Sequence, residues 1–119
     1  MSDAWRAIPS APEPGSRICL EAEVTGPVLG CDLGGFPVLL VRSAGGLRAY
    51  VNACPHQHLP LDWRSSGILS PDGVSLRCSN HDARFDASTG EGTGGYGAGC
   101  ALIPVPIEIR GGEVIVAQG

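Results

Sequence analysis

Four residues in two short motifs have the types and spacing of a metal centre. The first motif is Cys54-Pro55-His56, and the second is Cys78-Ser79-Asn80-His81, with 21 residues between His56 and Cys78. Thiolate sulfur and imidazole nitrogen are the ligands that proteins use for zinc and for some iron–sulfur clusters. Two Cys and two His from two tight loops could therefore hold either Zn²⁺ or a [2Fe–2S] cluster.

The distribution of the ligand types between the loops favours the dinuclear cluster. Zinc sites more often use pairs of like ligands in each loop, such as C-x₂₋₄-C and H-x₃₋₅-H. Here each loop offers one Cys and one His, so two Cys could hold one iron and two His the other. A zinc-bound interaction module remains the alternative. The other cysteines, Cys19, Cys31 and Cys100, are predicted to be ordinary thiols, because an odd total of five argues against a disulfide framework.

Composition excludes several other classes of protein. The chain has 119 residues, 8 Arg, no Lys and a net charge of −4, which argues against nucleic-acid binding. No apolar run approaches the ~18 residues of a membrane span. The N-terminus lacks the apolar stretch of a secretory signal, so a cytoplasmic protein is predicted, without membrane or nucleic-acid partners.

The elements that must position the two motifs are predicted to be short antiparallel strands. With 18 Gly and 10 Pro, long helices are not expected. Alternating apolar residues predict a strand over 17–24, and Gly-containing turns predict hairpins joining 38–41 to 47–51 and 102–109 to 114–116. The prolines at 104 and 106 predict an edge strand. Two further strands are predicted at 74–77 and 83–86, and irregular segments at 9–15, 64–73 and 92–99. The predicted fold class is an all-β antiparallel sandwich or small barrel.

In this setting the motifs resemble those of the Rieske-type [2Fe–2S] ferredoxins. The resemblance covers nearly the whole chain, from Trp5-Arg6-Ala7 to 112–116. It is most specific where 47–52 leads into the first motif and where the second lies within 76–86. It implies one Rieske domain over 1–119, with a cluster-binding subdomain of about 52–87 at the tip of two loops. It also implies one [2Fe–2S] cluster per chain, with Cys54 and Cys78 on one iron and His56 and His81 on the other.

Three features depart from the family pattern. His58 and Asp82 occupy positions where the family usually has Gly, and the interval between the motifs is longer than usual. The two loops must converge on one cluster, so His58 and Asp82 form a candidate ion pair, with two solvent-facing side chains as the alternative. The roles of His58, Asp82 and Cys100 stay open.

The resemblance implies an electron carrier rather than an enzyme, with no catalytic residues. The expected donor is a flavin-dependent or ferredoxin-type reductase, and the expected acceptor is a terminal oxygenase, acting on aromatic or related compounds, or a terminal reductase. The alternative is the small subunit of a nitrite reductase or of another multicomponent oxidoreductase. A low reduction potential is also expected. High-potential relatives carry a disulfide and hydroxyl donors near the cluster, which raise the potential. The corresponding positions of this chain hold Leu59, Asn80, Ala83 and Phe85, none of which supplies a thiol or a hydroxyl. The predicted docking patch consists of Gln57, His58, Leu59, Pro60 and Asn80.

Overall fold

The chain was analysed as a computed structural model, which describes residues 4–8, 10–53, 61, 68–78, 83–95 and 101–117. This part contains nine strands: β1 Arg17–Leu20, β2 Val28–Leu33, β3 Phe36–Ser43, β4 Gly46–Val51, β5 Ser75–Arg77, β6 Ala83–Asp86, β7 Gly92–Gly95, β8 Ile107–Arg110 and β9 Glu113–Val116. Two 3-10 helices cover Ala4–Ala7 and Glu21–Glu23. Within these residues, neither helix has the length or apolar character to cross a bilayer. The prediction of an all-β antiparallel fold is confirmed.

The strands form three antiparallel sheets of three strands each, in the orders β1-β9-β8, β2-β3-β4 and β5-β6-β7. The central sheet, β2-β3-β4, is a meander of consecutive strands. Its register is unbroken from Val38↔Val51 to Ser43↔Gly46, where the two-residue turn Ala44-Gly45 reverses the chain. The predicted hairpin of residues 38–41 and 47–51 is therefore confirmed.

The central sheet is buried on both faces. Side chains alternate along a strand, so neighbouring residues of β3 enter different cores. Val38 and Leu40 lie in one core, and Leu39 and Val41 lie in the other, all at 0% exposure. The Trp5 core comprises Trp5, Ile18, Cys19, Val24, Phe36, Val38, Leu40, Ala49, Val51, Val105, Val114 and Val116. The Cys78 core comprises Val28, Leu39, Val41, Tyr50, Leu61, Ile68, Leu76, Cys78, Ala83, Phe85, Ala87 and Leu102.

In the sheet β1-β9-β8, the first strand of the chain pairs with the last. The Val116 N–H donates to the Ser16 carbonyl at 2.8 Å, and the Gly15 N–H donates to the Val116 carbonyl at 2.7 Å. β8 and β9 form the predicted C-terminal hairpin, with β8 at the sheet edge. The first strand of that hairpin begins at Ile107 rather than at Leu102, so the predicted bound is wrong. Residues 103–105 instead bond to β4, and the prolines at 104 and 106 have no N–H to extend a ladder.

The strand predicted over 17–24 ends at Leu20, so its predicted alternation is also wrong. A register shift between Arg17 and Cys19 buries Ile18 and Cys19 together and leaves Leu20 43% exposed. The chain then turns into the 3-10 helix Glu21–Glu23. The Glu23 carboxylate accepts the Leu20 N–H at 2.8 Å, which satisfies a backbone donor at this turn.

Two strands were not predicted from the sequence, and each is poor in strand-forming side chains. β2 contains Gly30 and Asp32 and is joined to β3 by Gly34-Gly35, whose φ angles are +64° and +99°. β7 consists of Gly92–Gly95 with one Thr and pairs with β6, although 92–99 was predicted to be irregular. The two strands predicted at 74–77 and 83–86 are confirmed as β5 and β6, with β5 starting one residue later.

Candidate metal centre

Each sequence motif follows the end of a strand, the first in the central sheet and the second in the β5-β6-β7 sheet. β4 ends at Val51, three residues before Cys54, and β5 ends at Arg77, directly before Cys78. Of the four predicted ligands, the structure describes Cys78, whereas Cys54, His56 and His81 lie outside the described residues. The predicted ligand set therefore stays a prediction, supported by what the structure shows at the ends of the two loops.

The first loop is closed at its base by a buried side chain. Asn52 is 6% exposed, and its side-chain oxygen Oδ1 accepts the backbone N–H of Leu61 at 2.8 Å. The Asn52 N–H itself donates to the Pro37 carbonyl at 3.0 Å, which attaches this residue to the start of β3. This pair of bonds joins the two ends of the segment 53–60 and anchors them to the central sheet.

The second loop is closed by a backbone hydrogen bond. The Cys78 N–H donates to the Ala83 carbonyl at 2.9 Å, next to the last β5–β6 pair, Arg77↔Arg84. Four residues, 79–82, connect Cys78 to β6. The side chain of Cys78 is buried at 1% exposure, so its sulfur lies at the water-excluded root of this loop.

Both loop bases belong to the same apolar core. Leu61, from the end of the first loop, and Cys78 and Ala83, from the second, are all members of the Cys78 core. The bridge between Leu69 and Leu76 and the bond from the Arg77 N–H to the Ile68 carbonyl tie the intervening segment to β5. A buried cysteine at the start of the second loop, in the same core as the end of the first, fits an iron–sulfur cluster, whose irons are held by thiolates and, in Rieske centres, also by imidazoles.

Positive charge lies beside the second loop. Arg77 and Arg84 face each other across the β5–β6 pair, and both are exposed. Together with Ile68 and Leu69 they line a cavity of about 290 Å³. The molecule carries a net charge of −4. Two of the eight arginines of this acidic chain therefore lie opposite each other on this hairpin.

Sequence reasoning missed Asn52 and Tyr50. The Tyr50 hydroxyl donates to the Ala87 carbonyl at 2.8 Å inside the Cys78 core, and burial raises the pKa of Tyr50 to about 12. Gly90 packs so tightly on this ring that an added Cβ would lie 2.8 Å from Tyr50 Cε1. The only sequence signal for Asn52 was its place two residues before Cys54, and nothing in the pattern indicated that Tyr50 joins β4 to 87–90.

Several predicted functional residues lie outside the described residues. They include the docking patch of Gln57, His58, Leu59, Pro60 and Asn80, the candidate pair of His58 and Asp82, and Cys100. The other two cysteines are described: Cys19 is buried, Cys31 is half-buried, and neither is in a disulfide.

Comparisons with known proteins place the chain in a family. The family model for the Rieske [2Fe-2S] domain matches residues 16–100. No curated protein sequence matches the chain significantly.

Solved structures match over most of the chain. The ferredoxin of carbazole 1,9a-dioxygenase from Nocardioides aromaticivorans IC177 superposes with a TM-score of 0.74 at 24% identity, over 90% of this chain and 100% of that one. Dicamba monooxygenase bound to dicamba gives 0.69 at 28% identity, over 87% of this chain but 31% of that one. A putative small subunit of a nitrite reductase gives 0.69 at 11% identity, over 89% and 100%. The chain belongs to the Rieske [2Fe-2S] domain family, and its cofactor is a [2Fe–2S] cluster.

Proposed function

We propose that the chain is a Rieske-type ferredoxin, a one-electron carrier between a reductase and a terminal oxygenase. The observation that carries this proposal is the match over 100% of a free-standing ferredoxin, compared with 31% of an oxygenase. The matched 90% of this chain thus covers the full length of the ferredoxin of carbazole 1,9a-dioxygenase.

The proposed ligands are Cys54 and Cys78 for one iron and His56 and His81 for the other. When bound, the cluster supplies one-electron redox chemistry. The chain's own residues hold the ends of the two loops. Asn52 fastens the first through Leu61, and the Cys78–Ala83 backbone bond fastens the second. The Cys78 core excludes water from the inner side of the site.

The histidine count supports a carrier over an oxygenase. A mononuclear iron of the oxygenase type needs two His and one carboxylate in addition to the Rieske ligands. The chain has three His. With His56 and His81 assigned to the cluster, His58 alone is left, so this chain by itself lacks the ligands for that second iron.

The proposed partners are a flavin-dependent or ferredoxin-type reductase as donor and a terminal oxygenase as acceptor. Gln57, His58, Leu59, Pro60 and Asn80 are proposed to form the contact patch, with Leu59 and Pro60 at its apolar centre. Transient redox partners meet through small patches of this kind. Leu59→Glu should slow electron transfer to the partner and leave the potential nearly unchanged. Equal electron-transfer rates for the wild type and Leu59→Glu at limiting protein concentration would show that these residues do not form the contact patch.

The first experiment is spectroscopic. Protein loaded with iron and sulfide should be coloured when oxidised and take up one electron per chain on reductive titration. That electron should be recovered on reoxidation by cytochrome c. Voltammetry should give a midpoint near the bottom of the roughly −150 to +300 mV range of Rieske centres. A colourless zinc protein, or a cluster that does not cycle, would contradict the proposal, and a midpoint well above about +100 mV would contradict the low potential.

A permanent subunit of a nitrite reductase is the second candidate, because a putative small subunit of such an enzyme matches over 100% of its length. A carrier docks transiently and should purify apart from its acceptor. A permanent subunit should elute from size exclusion as a complex with a larger protein. Co-purification from the native source in constant stoichiometry would favour this second candidate.

A further inference from the structure

The described part of the long interval between the two motifs is held against its neighbours on both sides. On one side, the Arg77 N–H donates to the Ile68 carbonyl at 2.9 Å. On the other side, the Ala44 N–H donates to the Gly73 carbonyl at 2.9 Å. Residues 68–73, which we call the 68–73 ridge, are therefore fixed between β5 and the turn that follows β3.

A cavity lies along each side of the 68–73 ridge. The cavity toward β5 and β6 measures about 290 Å³ and is lined by Arg77 and Arg84. The cavity toward the turn after β3 measures about 440 Å³ and is lined by Arg42. Both cavities are also lined by Leu69, Ser70 and Pro71. The two cavities therefore adjoin along the ridge and form one surface with it.

This surface carries more positive than negative side chains. Among the described residues that line the two cavities, three are arginines and one is a carboxylate, Asp72, in a chain with a net charge of −4. The Asp72 carboxylate accepts hydrogen bonds from the Ser70 hydroxyl and the Val74 N–H, within its own turn. The salt bridges of the described residues lie on β1, β8 and β9, so no described carboxylate forms one with Arg42 or Arg77. The surface therefore suits an anionic group.

The arginines are held in defined positions. Arg77 and Arg84 are exposed and lie directly opposite each other on β5 and β6, where like charges repel. The Arg84 guanidinium lies against β7, since an added Cβ on Gly94 would be 3.0 Å from its Nη2 atom. At the other cavity, Nε and Nη2 of Arg42 donate to the Val24 carbonyl at 3.0 and 2.9 Å. An anionic group in the cavity that Arg77 and Arg84 share would offset their repulsion.

We propose that this surface docks an acidic patch of the protein with which the chain exchanges electrons, an inference that rests on the proposed function. Arg77 directly precedes Cys78, whose N–H closes the second loop on Ala83. A partner seated on the arginines of β5 and β6 therefore lies beside the loop that carries two of the proposed ligands. Opposite charges of this kind speed the encounter of two proteins, and salt weakens the effect.

Two electron acceptors of opposite charge test the proposal: plastocyanin, whose surface is acidic, and cytochrome c, whose surface is basic. Cluster-loaded protein is reduced and mixed with either oxidised acceptor at low ionic strength, and stopped-flow absorbance gives the second-order rate constant. Arg77→Gln and Arg84→Gln are each expected to reduce plastocyanin several times more slowly than the wild type does. Neither variant should reduce cytochrome c more slowly. The difference between wild type and variants should shrink as salt is added.

Arg110→Gln is the matched control, because it also removes one exposed arginine but lies on β8. It changes the net charge by the same amount as Arg77→Gln, so it should slow the reaction with plastocyanin much less. Equal rates for Arg77→Gln and Arg110→Gln would overturn the proposal, since net charge alone would then account for the effect.

Cytochrome c separates docking from a change in driving force. A variant with an altered reduction potential would react more slowly with both acceptors, and equal slowing of both would also overturn the docking surface. A wild-type protein that passes electrons to neither acceptor would contradict the proposed function and the docking surface together. Electron transfer to both acceptors, with no specific loss in Arg77→Gln or Arg84→Gln, would leave the carrier function intact and overturn the docking surface alone.

Discussion

The Trp5 core and the Cys78 core share the central sheet but are closed in different ways. Leu39 and Leu40 are adjacent on β3, both at 0% exposure, and each belongs to a different core. The Trp5 core is covered by the β1-β9-β8 sheet, in which the first strand of the chain pairs with the last. The Cys78 core is covered by short strands and by the bases of two loops, at Leu61 and Cys78. The same sheet therefore supports a closed scaffold on one face and a loop-bearing site on the other.

Replacing one cysteine on each side of the central sheet should separate the two sides most strongly. Cys78→Ser is expected to abolish or cripple cluster binding, because an alkoxide-forming hydroxyl is a poor substitute for a thiolate ligand of iron. Cys31→Ser is expected to retain the cluster. Iron and acid-labile sulfide content, with the visible spectrum, measure both outcomes. A Cys78→Ser protein with wild-type iron content and spectrum would refute the ligand assignment.

Leu39→Ala and Leu40→Ala make a matched pair on the two faces of β3. Each removes a fully buried leucine, so each should lower the free energy of unfolding by about 2–5 kcal/mol. Only Leu39→Ala opens space in the core that contains Cys78, so only this variant should release the cluster faster. Urea unfolding and the decay of cluster absorbance in the presence of a chelator give the two measurements. Equal rates of cluster loss would mean that the two cores do not act separately on the site.

Replacing Asn52 should have a smaller effect on stability and cluster release, one that is confined to the first loop. Asn52→Ala removes the acceptor for the Leu61 N–H, and an unpaired buried donor costs about 1–3 kcal/mol. Asn52→Asp keeps an oxygen in the same place and serves as the control. The alanine variant is expected to lose stability and to release the cluster faster than the aspartate variant. The opposite order in cluster release would show that this hydrogen bond does not hold the loop.

Alkaline pH should titrate one buried group in each core. Burial raises the pKa of Cys19 from 9.0 to about 11 and that of Tyr50 from 10.0 to about 12. In each case the unfolded chain ionises first, so the stabilisation is complete below the unfolded pKa and is lost as pH rises through the folded one. Cys19→Ser should flatten the fall in unfolding free energy over pH 9 to 11. Tyr50→Phe should flatten it over pH 10 to 12.

Urea unfolding at a series of pH values measures these slopes. The two variants serve as controls for each other, because each removes one titrating group and leaves the other. Unchanged slopes in both variants would mean that neither group titrates differently in the folded and unfolded states.

Local sequence patterns predicted the parts of the fold that depend on local contacts. The run Val38–Val41 and its glycine turn predicted β3 and β4, since the turn and the strands are adjacent in sequence. The alternation over 17–24 failed because a bulge, imposed by pairing with β9, changes the face on which each residue lies. β7 was missed because glycine has no side chain that could indicate a strand.

The same distinction applies to the candidate site. The strand signals correctly predicted that one strand ends at Arg77, directly before Cys78, and that another begins at Ala83. The bond from Leu61 to Asn52 joins residues nine positions apart and has no periodic signal. All four predicted ligands, Cys54, His56, Cys78 and His81, stay predictions.

The pairing of β1 with β9 has a consequence for how this domain can be embedded in other proteins. The hydrogen bonds of Val116 to Gly15 and Ser16 hold the start of β1 and the end of β9 side by side. A unit whose ends are adjacent can be inserted into a longer chain without stretching or breaking either sheet. This geometry is compatible with finding the same fold both as a free-standing ferredoxin and as about a third of an oxygenase chain. Modularity is thus built into the sheet formed by β1, β9 and β8.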